Sequence, residues 1–490
     1  MKHKVLMTLP FISLILTSCN GVPLNVPKFE KTKGVRFTAY SGPTVKGWVT
    51  NGMVPTTLTD ENMAKLAEAG FNKIIALYEG GSNAGGADTY ELIKNRSVKA
   101  EQDALIGVEL AAKYNIKYCV RDWSFYGLVK NYTSDTYNPR ILTDEQYEQI
   151  INDMFDDDNP YIHSPGYGGN FCHDEPFYEE LERIAAQVRY YNAAMERQGV
   201  DAEPIINLFP STVSHVSDNP ELDYSDYIDE YMRCIAPQVG YISFDFYPFI
   251  KNFYDGSYIR NTYLYNLALV ATKVKEQREK GNDIEMRTFL QSVGNWTGMR
   301  DMVSVGDFRF QVSCEMAFGS HEFAYYEYAN VYSEEEGGFA LFNLKTNEYN
   351  RSYEWAKIVN NEVHNFEDAY LAYTWDGVMY KNADEMYENQ AFDMISDLAM
   401  EKHPRVKIKT CEQDCFMGTF KNDKGDDAFM LVNYTDPYHH LNNKVKLHFN
   451  NAKGLLMYRY GQKMVVNLPM SGDYTIDLYP GEGRFIIPIK

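Results

Sequence analysis

The chain has 490 residues, 44% of them hydrophobic, which is more than one typical domain needs and enough for a sizeable core, so two domains are expected. Its 68 acidic residues outnumber 47 basic ones, giving a formal charge of −21; this argues against nucleic acid or an anionic membrane surface as an electrostatic partner and fits neutral or cationic ligands better. Aromatics reach 14%, led by 39 tyrosines, and such amphipathic rings stack on sugars and bond their hydroxyls, although most are expected simply to fill core packing.

At the start of the chain, Lys2 and Lys4 precede an apolar run from Val5 to Leu16 and then Leu16-Thr-Ser-Cys19. The run is too short to persist as a spanning helix. Small residues before a cysteine resemble a bacterial lipoprotein signal. That resemblance implies removal of residues 1–18, lipidation of Cys19, and an acyl anchor holding an extracytoplasmic body to a bacterial membrane; an ordinary secretory signal is the plainer reading. Residues 19–33 read as an extended tether. Further on, Cys411 and Cys415 are close enough to pair in an oxidising compartment, and free thiols fit equally well.

From Gly34 the chain alternates strand and helix signals. Val35-Arg-Phe-Thr-Ala-Tyr40 is a strand ending in Ser-Gly-Pro. Thr59 caps a helix carrying Met63, Leu66 and Ala67 on one face and closing at Gly70, and Phe71–Tyr78 follows as a strand. A helix is predicted from about Ser97 to Tyr114, then a strand over 116–123, then a helix opened by the capping box Thr143-Asp-Glu-Gln146. The fourth strand ends in His173-Asp-Glu-Pro176, and Pro176 is placed to open the helix that follows. Strands over 204–209, 240–248, 285–292 and 322–328 complete eight. That number, with intervening helices, is what a (β/α)8 barrel requires; no Gly-x-Gly-x-x-Gly follows the first strand as an open dinucleotide-binding sheet would show. After about Val363 short alternating strands separated by Asn-Asp-Lys-Gly, Ser-Gly-Asp and Pro-Gly-Glu-Gly turns predict an all-β sandwich. The expected division is a barrel over 34–365 and a β-sandwich over 366–490.

In such a barrel the ends of the strands share one rim. Read together they supply Tyr40, Tyr78, Glu79, Arg121, Asp122, Trp123, His173, Asp174, Glu175, Asn207, Asp245, Tyr247, Gln291, Tyr326, Glu327 and Tyr328, with Trp296 as a further platform. Carboxylates, amides and aromatic rings on one face suit a pyranose, and two adjacent acids suggest general acid/base work on a glycosidic bond. The plainer reading of an acid before a helix is a cap. Successive strand residues face opposite ways, so Asp174 and Glu175 are not expected to form the catalytic pair in a regular strand. Glu175 is the expected general acid, and Asp174 orients it or binds a hydroxyl. For the second carboxylate Glu327 is preferred and Asp245 is the alternative; the plainer reading of Glu327 is an ion pair with Arg36, Arg121 or Arg287.

The strand-four Asp-Glu-Pro, Ser243-Phe-Asp-Phe-Tyr-Pro248, Arg309-x-Gln311 with Ala317-Phe-Gly319, and Ala324-Tyr-Tyr-Glu327 resemble the TIM-barrel glycoside hydrolases of clan A. More narrowly they resemble β-galactosidase-like lipoproteins of polysaccharide-degrading bacteria that carry a C-terminal β-sandwich. The resemblance implies a glycosidase acting on oligosaccharides from a complex glycan, with no metal or cofactor required. In that clan the acid/base is the Glu of an Asn-Glu pair closing strand four, which maps onto Glu175, with Asp174 in place of the Asn. The clan's nucleophile is a Glu on strand seven, where this chain has Gln291; either the strand count shifts by one and Glu327 takes that place, or the mechanism differs. A carbohydrate-binding lipoprotein on a degenerate barrel is the alternative. A barrel esterase or amidase lacks its Gly-x-Ser-x-Gly elbow or paired histidines.

Overall fold

The structure is a computed structural model that describes residues 24–490 apart from 46, 50–51, 55, 78–89, 123–124, 126–127, 129–142, 252–256, 295–297, 331–339, 345, 385 and 387–388. Eight parallel strands, β1 Arg36–Tyr40, β2 Lys73–Ile75, β3 Lys117–Val120, β4 Tyr167–Asp174, β5 Glu203–Asn207, β6 Tyr241–Asp245, β7 Glu285–Gln291 and β8 Ser320–Tyr326, form one sheet in the order β5-β4-β3-β2-β1-β8-β7-β6. The ring closes just past Asn207: the Leu208 amide donates to the Ser243 carbonyl at 2.9 Å, and the Asp245 amide to the Leu208 carbonyl at 3.3 Å. The eight strands are those predicted.

The helices around the ring are α1 Asp60–Glu68, α2 Tyr90–Lys113, α3 Asp144–Met154, α4 Leu181–Gln198, α5 Tyr224–Cys234, α6 Thr262–Glu279, α7 Val305–Ala317 and α8 Arg351–His364. Thr59 and Thr143 cap α1 and α3 through their hydroxyls, the latter in a full capping box. Two boundaries differ from the sequence reading. α2 begins at Tyr90 rather than near Ser97, and Pro176 does not open a helix: a single 3₁₀ turn, Tyr178–Glu180, comes first and α4 starts at Leu181.

Inside the ring, side chains stack in layers. Tyr40, Ile75, Cys119, Phe171, Ile205, Phe289 and Ala324 make an apolar middle. Below it, at the N-terminal ends of the strands, lies a buried ionic layer. Glu322 meets Arg36 at 2.8 Å, Lys73 at 3.0 Å and Arg287 at 3.5 Å; Glu203 meets Lys73 at 2.6 Å and Arg287 at 2.9 Å. Alternating charges offset the cost of burial that any one of them would suffer alone.

The C-terminal strands are β9 Thr374–Lys381, β10 Val406–Thr410, β11 Cys415–Lys421, β12 Asp427–Asn433, β13 Asn443–Phe449, β14 Gly454–Arg459, β15 Gln462–Asn467, β16 Asp473–Leu478 and β17 Gly483–Ile489. They form an antiparallel sheet β9-β11-β12-β17-β14-β15 and a second one β10-β13-β16. Alternation sends Met417, Phe429, Leu431, Met457 and Ile486 toward the smaller sheet and Phe416, Phe420, Met430, Tyr458 and Phe485 toward the barrel. A TIM barrel followed by a β-sandwich is therefore the architecture. The contact with the barrel is close: at Gly418 an added Cβ would sit 1.9 Å from the Ala317 carbonyl oxygen at the end of α7. At the other end of α7 Arg300, 3% exposed, holds Asp307 and Asp436 of the sandwich, both at 2.7 Å. Cys411 and Cys415 are both free thiols.

Candidate active site

A cavity of about 250 Å³ opens at the C-terminal ends of the barrel strands, lined by Tyr40, Ser41, Leu77, Arg121, Asp174, Glu175, Asn207, Asp245, Tyr247, Phe289, Tyr326 and Glu327. Its carboxyls come from β4, β6 and the residue after β8.

The end of β4 departs from regular alternation. Phe171 pairs with Ile205, but His173 pairs with Ile206 and Asp174 with Asn207, so Cys172 is an extra residue in a bulge. Strict alternation from the inward Phe171 would send His173 into the barrel and Asp174 out. The bulge reverses this: Asp174 lines the cavity, while His173 is buried on the other side with its Nε2 4.0 Å from Glu180 of the 3₁₀ turn. Upstream, Gly169 at φ 129° lets β4 approach β5, since a Cβ there would meet the Glu203 carbonyl oxygen at 1.8 Å. Glu175 then leaves the strand in the left-handed region, φ 49°, with its amide held by the Asn207 carbonyl at 2.8 Å. That turn brings it to the cavity beside Asp174. The expectation that the two acids point opposite ways is thus corrected, because it assumed a regular strand.

A polar network ties the acids together. Arg121 donates to the Tyr40 hydroxyl at 2.9 Å, and that hydroxyl donates to Asp174 at 3.0 Å. The Asn207 side-chain amide reaches Asp245 at 3.2 Å and Asp174 at 3.4 Å, and its carbonyl accepts from Ser243 at 3.1 Å. Burial, followed by the neighbouring Glu175 and Asp174, raises the Asp245 carboxyl well above the ordinary range. On the opposite side of the ring Glu327 is 2% exposed. Its peptide carbonyl accepts from the Ser292 hydroxyl at 3.0 Å, and the next amide, Tyr328, donates to the Tyr40 carbonyl at 2.8 Å. Tyr247 and Tyr326 stack at 4.9 Å and form an aromatic wall.

Arg36 and Arg287, considered as partners for Glu327, are in the ionic layer at the other end of the barrel; Arg121 lies 3.6 Å from Asp174. Three expected binding residues lie outside the lining. His173 is displaced by the bulge, and Asp122 is buried away from it. Gln291 is consumed by structure: its side chain accepts from the Phe249 amide at 2.9 Å and donates to the carbonyls of Phe249, Val293 and Arg300 at 3.2, 3.2 and 2.9 Å. Tyr78, Glu79, Trp123, Trp296 and Cys19 lie outside the described residues, and Tyr328, expected at the rim, is buried outside the lining. Ser41, Leu77 and Phe289 were not anticipated; Phe289, two residues before the end of β7, was available from alternation alone.

Neither a protein-family model nor a curated protein matches this chain. Among solved structures, one titled a glycoside hydrolase superposes at a TM-score of 0.53 and 11% identity, over 93% of this chain and 92% of that one. The chain shares the TIM-barrel fold of that structure. SrfJ from Salmonella typhimurium (TM-score 0.48, 12% identity, 94% of this chain and 90% of that one) is also similar. So is the GH27 β-L-arabinopyranosidase Abp from Geobacillus stearothermophilus (0.49, 11%, 93% and 96%). Within this barrel the strand count stands as read: Gln291 closes the seventh strand, and Glu327 follows the eighth.

Proposed function

We propose that this protein hydrolyses glycosidic bonds in oligosaccharides derived from a complex glycan. The observation that carries the reading is the set of carboxyl side chains that β4, β6 and β8 bring to one cavity on the catalytic face of the barrel. Hydrolysis needs a protonated acid at the leaving oxygen and a second, ionised carboxylate across the ring. Glu175, half-buried, takes the role of the acid. Burial and the neighbouring Glu175 and Asp174 push the Asp245 carboxyl upward, which makes it the less favoured ionised partner and suits it to a sugar hydroxyl. Glu327 is then the nucleophile or the base that activates water. Tyr247 and Tyr326 give the sugar a stacking face. The N-terminal pattern around Cys19 supports lipid anchoring of the enzyme outside the cytoplasm, and uptake of radiolabelled palmitate by the wild type but not by Cys19→Ala tests it.

The deciding experiment uses aryl glycosides of graded leaving ability. Glu175→Gln should lose at least 10²-fold in rate on poor leaving groups and far less on activated ones, which need little acid help. Glu327→Gln should lose rate on all of them. A wild type inert on a broad glycan panel refutes the hydrolase. Glycan binding without turnover would then favour the carbohydrate-binding protein, the reading to which the absence of a carboxylate at Gln291 lends weight.

A further inference from the structure

We propose that the cavity takes a terminal glycosyl residue that carries no negative charge, that it gains from a free ammonium group on that residue, and that it rejects uronates. This rests on the glycosidase reading and concerns the charge of the sugar. Among the described lining residues four carboxyl side chains, Asp174, Glu175, Asp245 and Glu327, face one guanidinium, Arg121. The proposed reaction uses two carboxyls, so the wall carries two more than the chemistry requires.

Arg121 is already committed. It is 5% exposed, donates to the Tyr40 hydroxyl at 2.9 Å, lies 3.6 Å from Asp174, and packs over the Phe171 and Tyr40 rings at 4.5 and 5.2 Å. Swinging it toward a substrate carboxylate would strip Asp174 of its counter-ion. Asp245, buried with Glu175 and Asp174 as its nearest charges, already resists ionisation, and a uronate would add a further like charge. A ring-borne ammonium would do the reverse. Drug-sized ligands occupy pockets of about 300–1,000 Å³, so about 250 Å³ has room for a single ring, and the charge that counts is that of the residue cleaved.

The test compares matched 4-nitrophenyl glucoside, glucosaminide and glucuronide, with the corresponding galacto series, in both anomers. For the reactive series kcat/KM of the uronide should fall at least about 100-fold below that of the neutral glycoside, and the amine should equal or exceed it. Raising NaCl from 50 to 500 mM should narrow the uronide deficit, because charge repulsion is screened and a steric clash is not. Asp174→Asn, which releases Arg121, should raise the uronide relative to the neutral substrate about tenfold or more. A uronide cleaved within tenfold of the neutral glycoside, or a deficit indifferent to both salt and Asp174→Asn, overturns the proposal. If no substrate turns over, the hydrolase reading has failed, and the charge rule is read from calorimetric binding of glucosamine, glucose and glucuronate. Binding of glucuronate equal to or tighter than glucose overturns it, as does binding of none.

Discussion

Glu315 offers a test of the buried electrostatics that is independent of any substrate. It lies on α7 behind the barrel wall, 1% exposed, accepting from the Tyr263 hydroxyl at 3.1 Å and the Thr288 hydroxyl at 2.5 Å. Burial raises its carboxyl from 4.5 to about 8, and the two hydroxyls offset that only in part. Between these values the folded protein holds a proton that the unfolded chain has released. Its contribution to stability is therefore fully present below about pH 4.5 and is lost as pH rises toward about 8. The loss is about 1.4 kcal/mol per pH unit, so about 2.7 kcal/mol between pH 5 and 7 and about 5 kcal/mol over the whole window. Glu315→Gln keeps the shape and the acceptor while removing the titration. Guanidinium unfolding followed by tryptophan fluorescence should show variant and wild type within about 1 kcal/mol at pH 5. The variant should then gain on the wild type by about 1.4 kcal/mol per unit up to about pH 8 and hold its lead above that. Parallel stability curves over pH 5–8 would refute the account, because they would mean Glu315 titrates alike in both states.

Glu322→Gln, at the centre of the ionic layer, should cost about 3–5 kcal/mol, because it leaves Lys73 and Arg287 buried with one counter-ion fewer; urea midpoints at pH 7 measure it. Arg300→Ala should cost a similar amount by exposing Asp307 and Asp436 to each other unpaired, and unfolding curves of the variant check it. Gly418→Ala should destabilise by about 1–3 kcal/mol through overpacking against α7, read as a lowered melting temperature with the fold intact by circular dichroism. Tyr247→Ala should raise KM more than it lowers kcat, since it removes a stacking face rather than a reacting group; equal losses in both would argue against a platform role.

The barrel was legible because its strands repeat one pattern eight times, and each repeat confirms the next. Short runs such as Lys73–Ile75 and 118–120 are buried on both faces, which is how parallel strands declare themselves in sequence. Glu175, Asp245 and Glu327 were found at the rim because a strand end is a position along the chain. What alternation failed to give was direction. A bulge adds one residue without marking the sequence, so His173 and Asp174 exchange sides, and nothing in Asp-Glu-Pro announces that Glu175 turns left-handed. Gln291 failed for another reason: its partners Phe249, 42 residues upstream, and Arg300, nine residues downstream, lie in the segments beyond β6 and β7, and an amide that braces such segments looks the same on the page as one that binds a hydroxyl.

The grip of Arg300 has a practical consequence for anyone shortening this protein. Its guanidinium reaches the sandwich through Asp436, and its carbonyl receives the amide of Gln291, the last residue of a barrel strand whose neighbour carries Tyr326 and Glu327. Deleting the C-terminal module would remove one end of that linkage two side chains away from the rim of the cavity. The β-rich C-terminal module is thus part of the masonry around the cavity, and a barrel expressed alone is expected to report on a damaged site rather than a minimal one.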